Sequence, residues 1–416
     1  MNKQCIGSLH YNLISVINEF IMDFDEVLLL RQINRHWYEY LYNVNLYDTI
    51  LSNKQIRNNL CRFKAIVNEA YTENKENIIG LYLQDFYIFD YSKFSHITFL
   101  NCSFINIHNT MLSYLPNLTY LNCSYCISVD DKAIKSLTQL KTLSCINCVN
   151  ITTESIKYLT NLTHLDNGGY ISSYFSPNLI TLITSVNLCD NDLKYLSNLL
   201  QLECNSCDKI TDKGLTYLTN LKYLNCNRCK NITDEGINQL TQLTRLHCET
   251  SVKITNDALP LRLIDLNCSF CPYISDIGIK KLINLRKLTY SGNKITDKGI
   301  KALKNLTYLN CLDCEFITDE GIKELIHLKT LKCNSFNITD KGIKELTTLT
   351  SLDCSFCINI TNEGLKDLIN LTFLDCSHNL SITDGGLKYL INLLDLICYN
   401  CPNIIDESVP KRSIER

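Results

Sequence analysis

Leu221, Leu224 and Cys226 stand at offsets 0, +3 and +5 of a pattern that fills most of the chain. Cys229 follows at +8, Ile232-Thr233-Asp234 at +11 to +13, Gly236-Ile237 at +15 and +16, and Leu240 at +19. The next copy opens at Leu243. The opening residues are Ile97, Leu118, Leu140, Leu162, Leu179, Leu199, Leu221, Leu243, Leu263, Leu285, Leu306, Leu328, Leu349, Leu371 and Leu393. These fifteen copies are spaced by 17 to 22 residues. A chain of 416 residues would otherwise suggest two or three globular domains, but a fixed short period overrides that expectation. Such a chain grows one coil at a time and never closes a single core.

The spacing L-x-x-L-x-L-x-x-(N/C) is the leucine-rich-repeat pattern, one strand and one helical return per copy. The expected fold is therefore α/β: a solenoid with a curved parallel sheet and helical returns, over residues 97–410. Offsets 0, +3 and +5 of each strand turn inward, and +2 and +4 face outward on the concave sheet. The stretch Ile295-Thr296-Asp297-Lys298-Gly299-Ile300 predicts a short helix. Thr296 or Asp297 is its N-cap, Ile300 and Leu303 dock inward, and the recurrent Gly marks close packing between returns.

The 23 Cys follow the same period: twelve lie at +5, eight at +8, and only Cys5, Cys61 and Cys189 fall elsewhere. At +5 a thiol replaces a buried leucine as a small hydrophobe. At +8 it can weakly bond the neighbouring coil's backbone. This placement predicts reduced structural thiols, not disulfides. A zinc site needs four converging ligands, whereas C-x-x-C pairs on successive coils run in parallel rows. Ser251, Asn293, Phe336 and Asn379 replace the second Cys, with no compensating residue evident from sequence. No metal and no cofactor is expected.

The 8 His are scattered, and no H-E-x-x-H, nucleophile elbow or phosphate loop occurs, so the chain is not expected to be an enzyme. Net charge −3 gives no reason to expect a general nucleic-acid binder. Asn12, Asn18, Glu19 and Asp23 interrupt any apolar N-terminal core, and no apolar run is long enough to span a membrane. The expected location is cytoplasmic or nuclear, not secreted. The Asn-x-Ser/Thr triplets, such as those at Asn161, Asn231 and Asn370, are read as products of the repeat.

Ahead of the repeats, Leu13, Ile17, Phe20, Ile21 and Phe24 recur at helical spacing, then Val27, Leu28 and Leu30, then Ile33, Trp37 and Leu41. Residues 8–45 are too few to bury a core alone. Residues 46–96 read as a linker helix with Ile56, Leu60, Phe63, Val67 and Tyr71 on one face, and an irregular first coil at Ile78, Leu81 and Leu83. The series Leu13-Ile14, Asp25-Glu26-Val27-Leu28 and Ile33-Asn34-Arg35-His36-Trp37 resembles the F-box family. The family's opening Pro is absent and Asn34 stands for its usual Cys. The repeat section, through L-x-x-L-x-C-x-x-C-x-x-I-T-D, resembles the cysteine-containing repeats of F-box/leucine-rich-repeat proteins, and is similar to those encoded by large DNA viruses with AT-rich genomes.

The resemblance implies a non-catalytic substrate receptor of a Skp–cullin–F-box ubiquitin ligase. Leu13, Ile17, Val27, Leu28, Ile33 and Trp37 would dock the Skp-family adaptor, and through it a cullin. The alternative is an interaction scaffold whose N-terminal helices only cap the array. In either case the partner surface is expected at Phe99, Tyr120, Tyr223, Tyr308 and Phe373 (offset +2), beside Asp375. Phe104, Tyr125, Phe270 and Phe356 stand at +7. Large exposed apolar patches mark partner sites, although Tyr is also common in strands for packing reasons. The segment 162–198 departs from the period: it reads either as a decayed coil or as a contact loop built from Tyr170, Tyr174 and Phe175. Residues 411–416 are expected to fray.

Overall fold

The structure is a computed structural model, and it describes residues 80–82, 95–105, 107–168, 176–185, 188–292, 294–405 and 413–415. Residues 8–45, with the six expected adaptor contacts, lie outside the described residues.

The apolar residues at +3 and +5 share one side of the strand by its period of two, and the residue at 0, just ahead of the strand, turns in with them, so the strand's inner edge is buried and its outer edge is not. Among the described residues, seventeen strands of three or four residues form one parallel sheet in chain order. The register matches the repeat throughout, with Leu at +3 opposite Leu at +3, as in Leu224↔Leu246 and Leu352↔Leu374. Leu221, Leu224, Cys226, Ile232 and Ile237 are fully buried, and the same five offsets line the core along the array. Cutting one such Leu to Ala typically costs about 2–5 kcal/mol.

The sheet extends past both ends of the regular repeats. Gly80–Tyr82 pairs with Phe99–Asn101, which places Leu81 at +3 as expected for the first coil. Ser413–Glu415 pairs with Asp395–Ile397. The tail expected to fray thus carries one more strand, and Ile414 opposite Leu396 is the period-two signal that supports it.

The returns are short helices, typically four residues, as expected. Thr is the N-cap in nine of the thirteen described returns, and the residue after it is not; His108, Asp130, Cys189 and Ser275 take that place in the others. Thr318 Oγ1 accepts from the backbone N–H of Glu320 at 3.2 Å. Asp297, at the same place in the preceding coil, accepts both from Thr318 N–H at 2.9 Å and from Thr318 Oγ1 at 2.7 Å. The same double grip joins Asp131 to Thr152, Asp190 to Thr211, Asp212 to Thr233, Asp276 to Thr296, Asp319 to Thr339 and Asp340 to Thr361. Asn362 holds Thr383 with one bond reversed: its Oδ1 accepts from Thr383 N–H, and its Nδ2 donates to Thr383 Oγ1, both at 2.9 Å. The carboxylate then lies against the next return's Gly: a Cβ on Gly321 would be driven into Asp297 Oδ1, and one on Gly236 into Asp212 Oδ1. The repeated I-T-D and its Gly are therefore one interlock spread over two coils.

The Cys rows behave differently from each other. The +5 thiols are buried side chains, and burial pushes Cys226, Cys311 and Cys354 well above the usual thiol range. All the +8 thiols but Cys207 donate to the preceding coil's +5 carbonyl, as expected: Cys148 to Cys123 O and Cys229 to Cys204 O, both at 2.9 Å. Two of the replacements of that Cys are in fact compensated. Asn379 Nδ2 donates to Cys357 O at 2.7 Å and Ile360 O at 3.0 Å. In the 21-residue coil opened by Leu328, the turn is one residue shorter, so Phe336 is 60 % exposed and buried Ser335 takes the slot, donating to Ile317 O at 3.2 Å. The Asn of the Asn-x-Thr triplets is likewise a coil-to-coil donor: Asn161 to Thr138 O at 3.1 Å, Asn231 to Asp208 O at 2.8 Å and Asn370 to Thr347 O at 2.9 Å.

The interlock reverses the usual sign of a glycine substitution. Gly to Ala in a helix normally stabilises by roughly 0.5–1 kcal/mol. Gly321→Ala should instead lower stability, because Asp297 occupies the space. Asp297→Ala alone should cost about 1–3 kcal/mol by leaving the Thr318 donors unpaired. In the Asp297→Ala background, Gly321→Ala should be neutral or stabilising. A double-mutant cycle by urea unfolding checks this, and additive losses would contradict it. For the thiols, alkylation at pH 8 should label half-buried Cys189 before any +5 thiol in the native protein, and all 23 after denaturation without reductant.

Candidate interaction face

Offsets +2 and +4 point away from the core, so in-register pairing lines them up in two columns across the sheet. Phe99 and Tyr120 are in register and stack, with centroids 4.2 Å apart and planes at 10°. Tyr308 lies between Lys287 and Thr330, and Phe373 between Ser351 and Asp395. Phe99, Tyr120, Tyr308, Phe373 and Asp375 are all half-buried, flanked by their column neighbours and open to solvent on the outer side. The structure brings the expected contacts onto one face, but spread along the whole array and not into a single pocket.

Tyr223 departs from that expectation. It is 9 % exposed. The Arg245 guanidinium lies over its ring at 4.4 Å from the centroid, within cation–π range. His247 packs edge-on at 5.2 Å, and its Nδ1 is 3.2 Å from the Tyr223 hydroxyl. His247 Nε2 lies 3.4 Å from Asp265 Oδ1, and Asn225 Nδ2 donates to Glu203 Oε2 at 3.5 Å. Burial, helped by the charge of Glu203, pushes the Tyr223 hydroxyl up to about 12. Tyr223 is thus an internal member of a polar cluster, covered by Arg245 from the next coil. A sequence reading by offset treats every +2 residue alike and has no sight of what covers it.

The +4 column has a structural task of its own, in addition to facing outward. Asn122 Oδ1 accepts from Ser124 N–H at 3.1 Å, and Asp375 Oδ1 from Ser377 N–H at 2.9 Å. Asp353 accepts from both Ser355 N–H and Ser355 Oγ. Asx turns of this kind also end the strands carrying Asn101, Asn225, Asn267 and Asn310. The signal was in the sequence as Asn or Asp at +4 followed by Ser at +6. One oxygen of Asp375 is therefore committed to the backbone, and the carboxylate is held in place on the face.

Next comes a ridge. Eleven non-glycine residues of the described chain have φ between 54° and 63°, all at +7. The left-handed conformation costs L-residues roughly 1–2 kcal/mol each. It lets the +7 N–H reach the next coil's +6 carbonyl, as in Phe356 to Ser377 O at 2.9 Å and His378 to Tyr399 O at 2.7 Å. Side chains at +7 then stack: Phe104 on Tyr125 at 4.4 Å, and Phe356 on His378 at 4.3 Å. Gly292 sits directly beneath the Phe270 ring, where a Cβ would clash. Phe104, Tyr125, Phe270 and Phe356 remain exposed, as expected for that row.

In the irregular segment the sheet is unbroken: His164–Asp166 pairs in register with Thr181–Thr184. Burial raises the Asp166 carboxyl, and its Oδ1 has no hydrogen-bond partner among the described residues. Tyr170, Tyr174 and Phe175 lie outside the described residues.

A leucine-rich-repeat family model matches residues 281–304, about one coil. No curated protein sequence matches the chain. Among solved structures, the chain is similar to the yeast Rad7–Elc1 complex, with 17 % identity, 100 % of this chain and 98 % of that chain covered, and a TM-score of 0.47. An internalin from Listeria monocytogenes gives 21 % identity, 78 % and 88 % coverage and 0.39. A leucine-rich-repeat protein of Leptospira interrogans gives 18 %, 84 % and 98 %, and 0.38. At such TM-scores these likenesses say nothing of partners. The leucine-rich-repeat architecture rests on the strand register and core described above. No helix among the described residues is long and apolar enough to cross a membrane.

Proposed function

We propose that the chain is a non-catalytic protein-interaction scaffold whose outer sheet face holds a target protein. The observation that carries this is the column of half-buried rings and fixed carboxylates running in register across the sheet. It offers pre-positioned aromatic anchors, which concentrate binding energy at interfaces. An array of fifteen coils at about 4.8 Å per strand spans roughly 70 Å, room for an extended segment or a folded domain. Asp353, Asp375 and Asp395 gather on the last coils beside Phe373, which suits a target bearing a basic feature there.

The finer reading makes the scaffold the substrate receptor of a Skp–cullin–F-box ubiquitin ligase. Residues 8–45 would dock the Skp-type adaptor through Leu13, Ile17, Val27, Leu28, Ile33 and Trp37. Support for it is the F-box-like spacing on a unit too small to fold alone. A cap without adaptor binding is the competing reading.

Tyr308→Ala and Phe373→Ala should each weaken target capture by more than about 1 kcal/mol, with melting temperature unchanged. Lys298→Ala on the helical returns should do little. Tyr223→Ala is a poor probe of binding, since it also empties a buried cluster. Binding measured by surface plasmon resonance decides: equal losses from both faces would remove the sheet face as the site. Deleting residues 1–45 should abolish capture of a purified Skp-type adaptor while leaving the far-UV spectrum of the repeats intact. If the full chain never binds the adaptor, and the deletion unfolds the first coils, residues 8–45 are a cap.

A further inference from the structure

The residues at −1 and +1 flank each opening Leu, where the return re-enters the sheet. The −1 residue is Asn, Thr or Gln on twelve of the fifteen coils and the +1 residue is Thr on seven, and such side chains bond the preceding coil: Asn370 Nδ2 donates to Thr347 O at 2.9 Å, and Thr372 Oγ1 to Thr350 O at 3.0 Å. Over the coils opened by Leu263, Leu285 and Leu328 this edge carries basic side chains, while Asn305 and Thr307 of the intervening coil bond the preceding coil in the usual way. It forms an open groove of about 660 Å³, lined by Arg262, Arg286, His327 and Lys329 with Asn305 and Thr348 among them. No lining residue is acidic, and none is Phe, Tyr or Trp. Glu324, on the return leading to His327, is already paired with Lys304.

The arginines sharpen the picture. From residue 97 to 405 the chain has Arg only at 228, 245, 262 and 286, on four consecutive coils, and uses Lys elsewhere. Arg presents a rigid planar fork that matches a carboxylate bidentately, which Lys does not. Arg245 is spent on the Tyr223 ring. Arg262 makes one bond, to the neutral Gln242 Oε1 at 3.3 Å.

We propose that this groove binds an extended acidic peptide segment of a partner, carboxylates on Arg262, Arg286 and Lys329. The charge complementarity selects the occupant. Four coils at about 4.8 Å span roughly 14 Å from first to last, the length of about four to five extended residues. Asn305, whose Nδ2 is already engaged, keeps its Oδ1 to accept from peptide N–H groups. Single-stranded nucleic acid is disfavoured because the groove has no aromatic platform for base stacking. The groove lies on the lateral edge, apart from the sheet-face columns, so two partners or two parts of one partner can engage together.

The test uses the full chain and a fluorescein-labelled hexapeptide of alternating Glu and Asp, read by fluorescence anisotropy. The amide counterpart of alternating Gln and Asn is the control peptide. Binding should be specific to the acidic peptide and weaken as salt rises from 50 to 300 mM. The R262Q/R286Q/K329Q variant should lose at least tenfold in affinity at unchanged melting temperature. A K213Q/K298Q/K341Q variant, with the same charge change on the helical returns, should stay within twofold of the parent. The proposal is overturned if the acidic peptide does not bind, or if both triple variants lose equally. It is also overturned if an oligouridylate of equal charge binds more tightly than the peptide. Loss in Tyr308→Ala or Phe373→Ala as large as in R262Q/R286Q/K329Q would place the peptide on the sheet face and overturn it too.

Discussion

A strand of three residues in a parallel sheet leaves donors and acceptors on both edges, and a four-residue helix leaves more unpaired than it pairs. Neither element is stable alone, so each coil must complete its hydrogen bonding on the next. The Asp-to-Thr grip is the contact through which the returns do this. Asp297 satisfies the backbone of Thr318 and fixes its hydroxyl, and that hydroxyl caps the helix beginning at Asp319. Order therefore passes from coil to coil through one carboxylate, or at Asn256 and Asn362 one amide, and the Gly of the next return gives it room.

The same logic explains why thiols and amides recur at sites that look merely apolar or merely polar. A thiol at +8 fills an inward corner and still offers a donor to a carbonyl that the turn would otherwise leave unpaired. Asn379 and Ser335 meet the same need with different atoms. Asn at −1 and +10 performs it on the exposed edges. Interchange among Cys, Asn and Ser at these places preserves the donor and lets the volume vary.

Function on such an array comes from departures from the average coil. The columns of the sheet face are a printed surface: the register is set by the buried leucines and not by the residues at +2, while Asn or Asp at +4 also ends the strand. Where charge and rings gather, as at Tyr223–Arg245–His247–Asp265, the array closes a polar cluster on itself. Where no side chain of the next coil covers the ring, as at Tyr308 and Phe373, it stays half-open. The lateral edge shows the same contrast between coils whose −1 and +1 side chains bond their neighbours and the three that present Arg262, Arg286 and Lys329.

Period, strand positions, buried offsets and the returning helices were legible in the sequence, because each coil repeats one local solution and its apolar residues can face only one way. The two rows of Cys and the capping Thr were legible for the same reason. What neighbouring coils do to each other was not: that Asp at +13 serves the following coil, that Tyr223 is covered while Tyr308 is open, that +7 takes a left-handed turn to keep the ladder going, and that residues 413–415 add a strand. These depend on contacts some 20 residues apart in the chain. A reading by offset sees the residue at each place in a coil, whereas the fate of its side chain is decided by the residue stacked against it from the next.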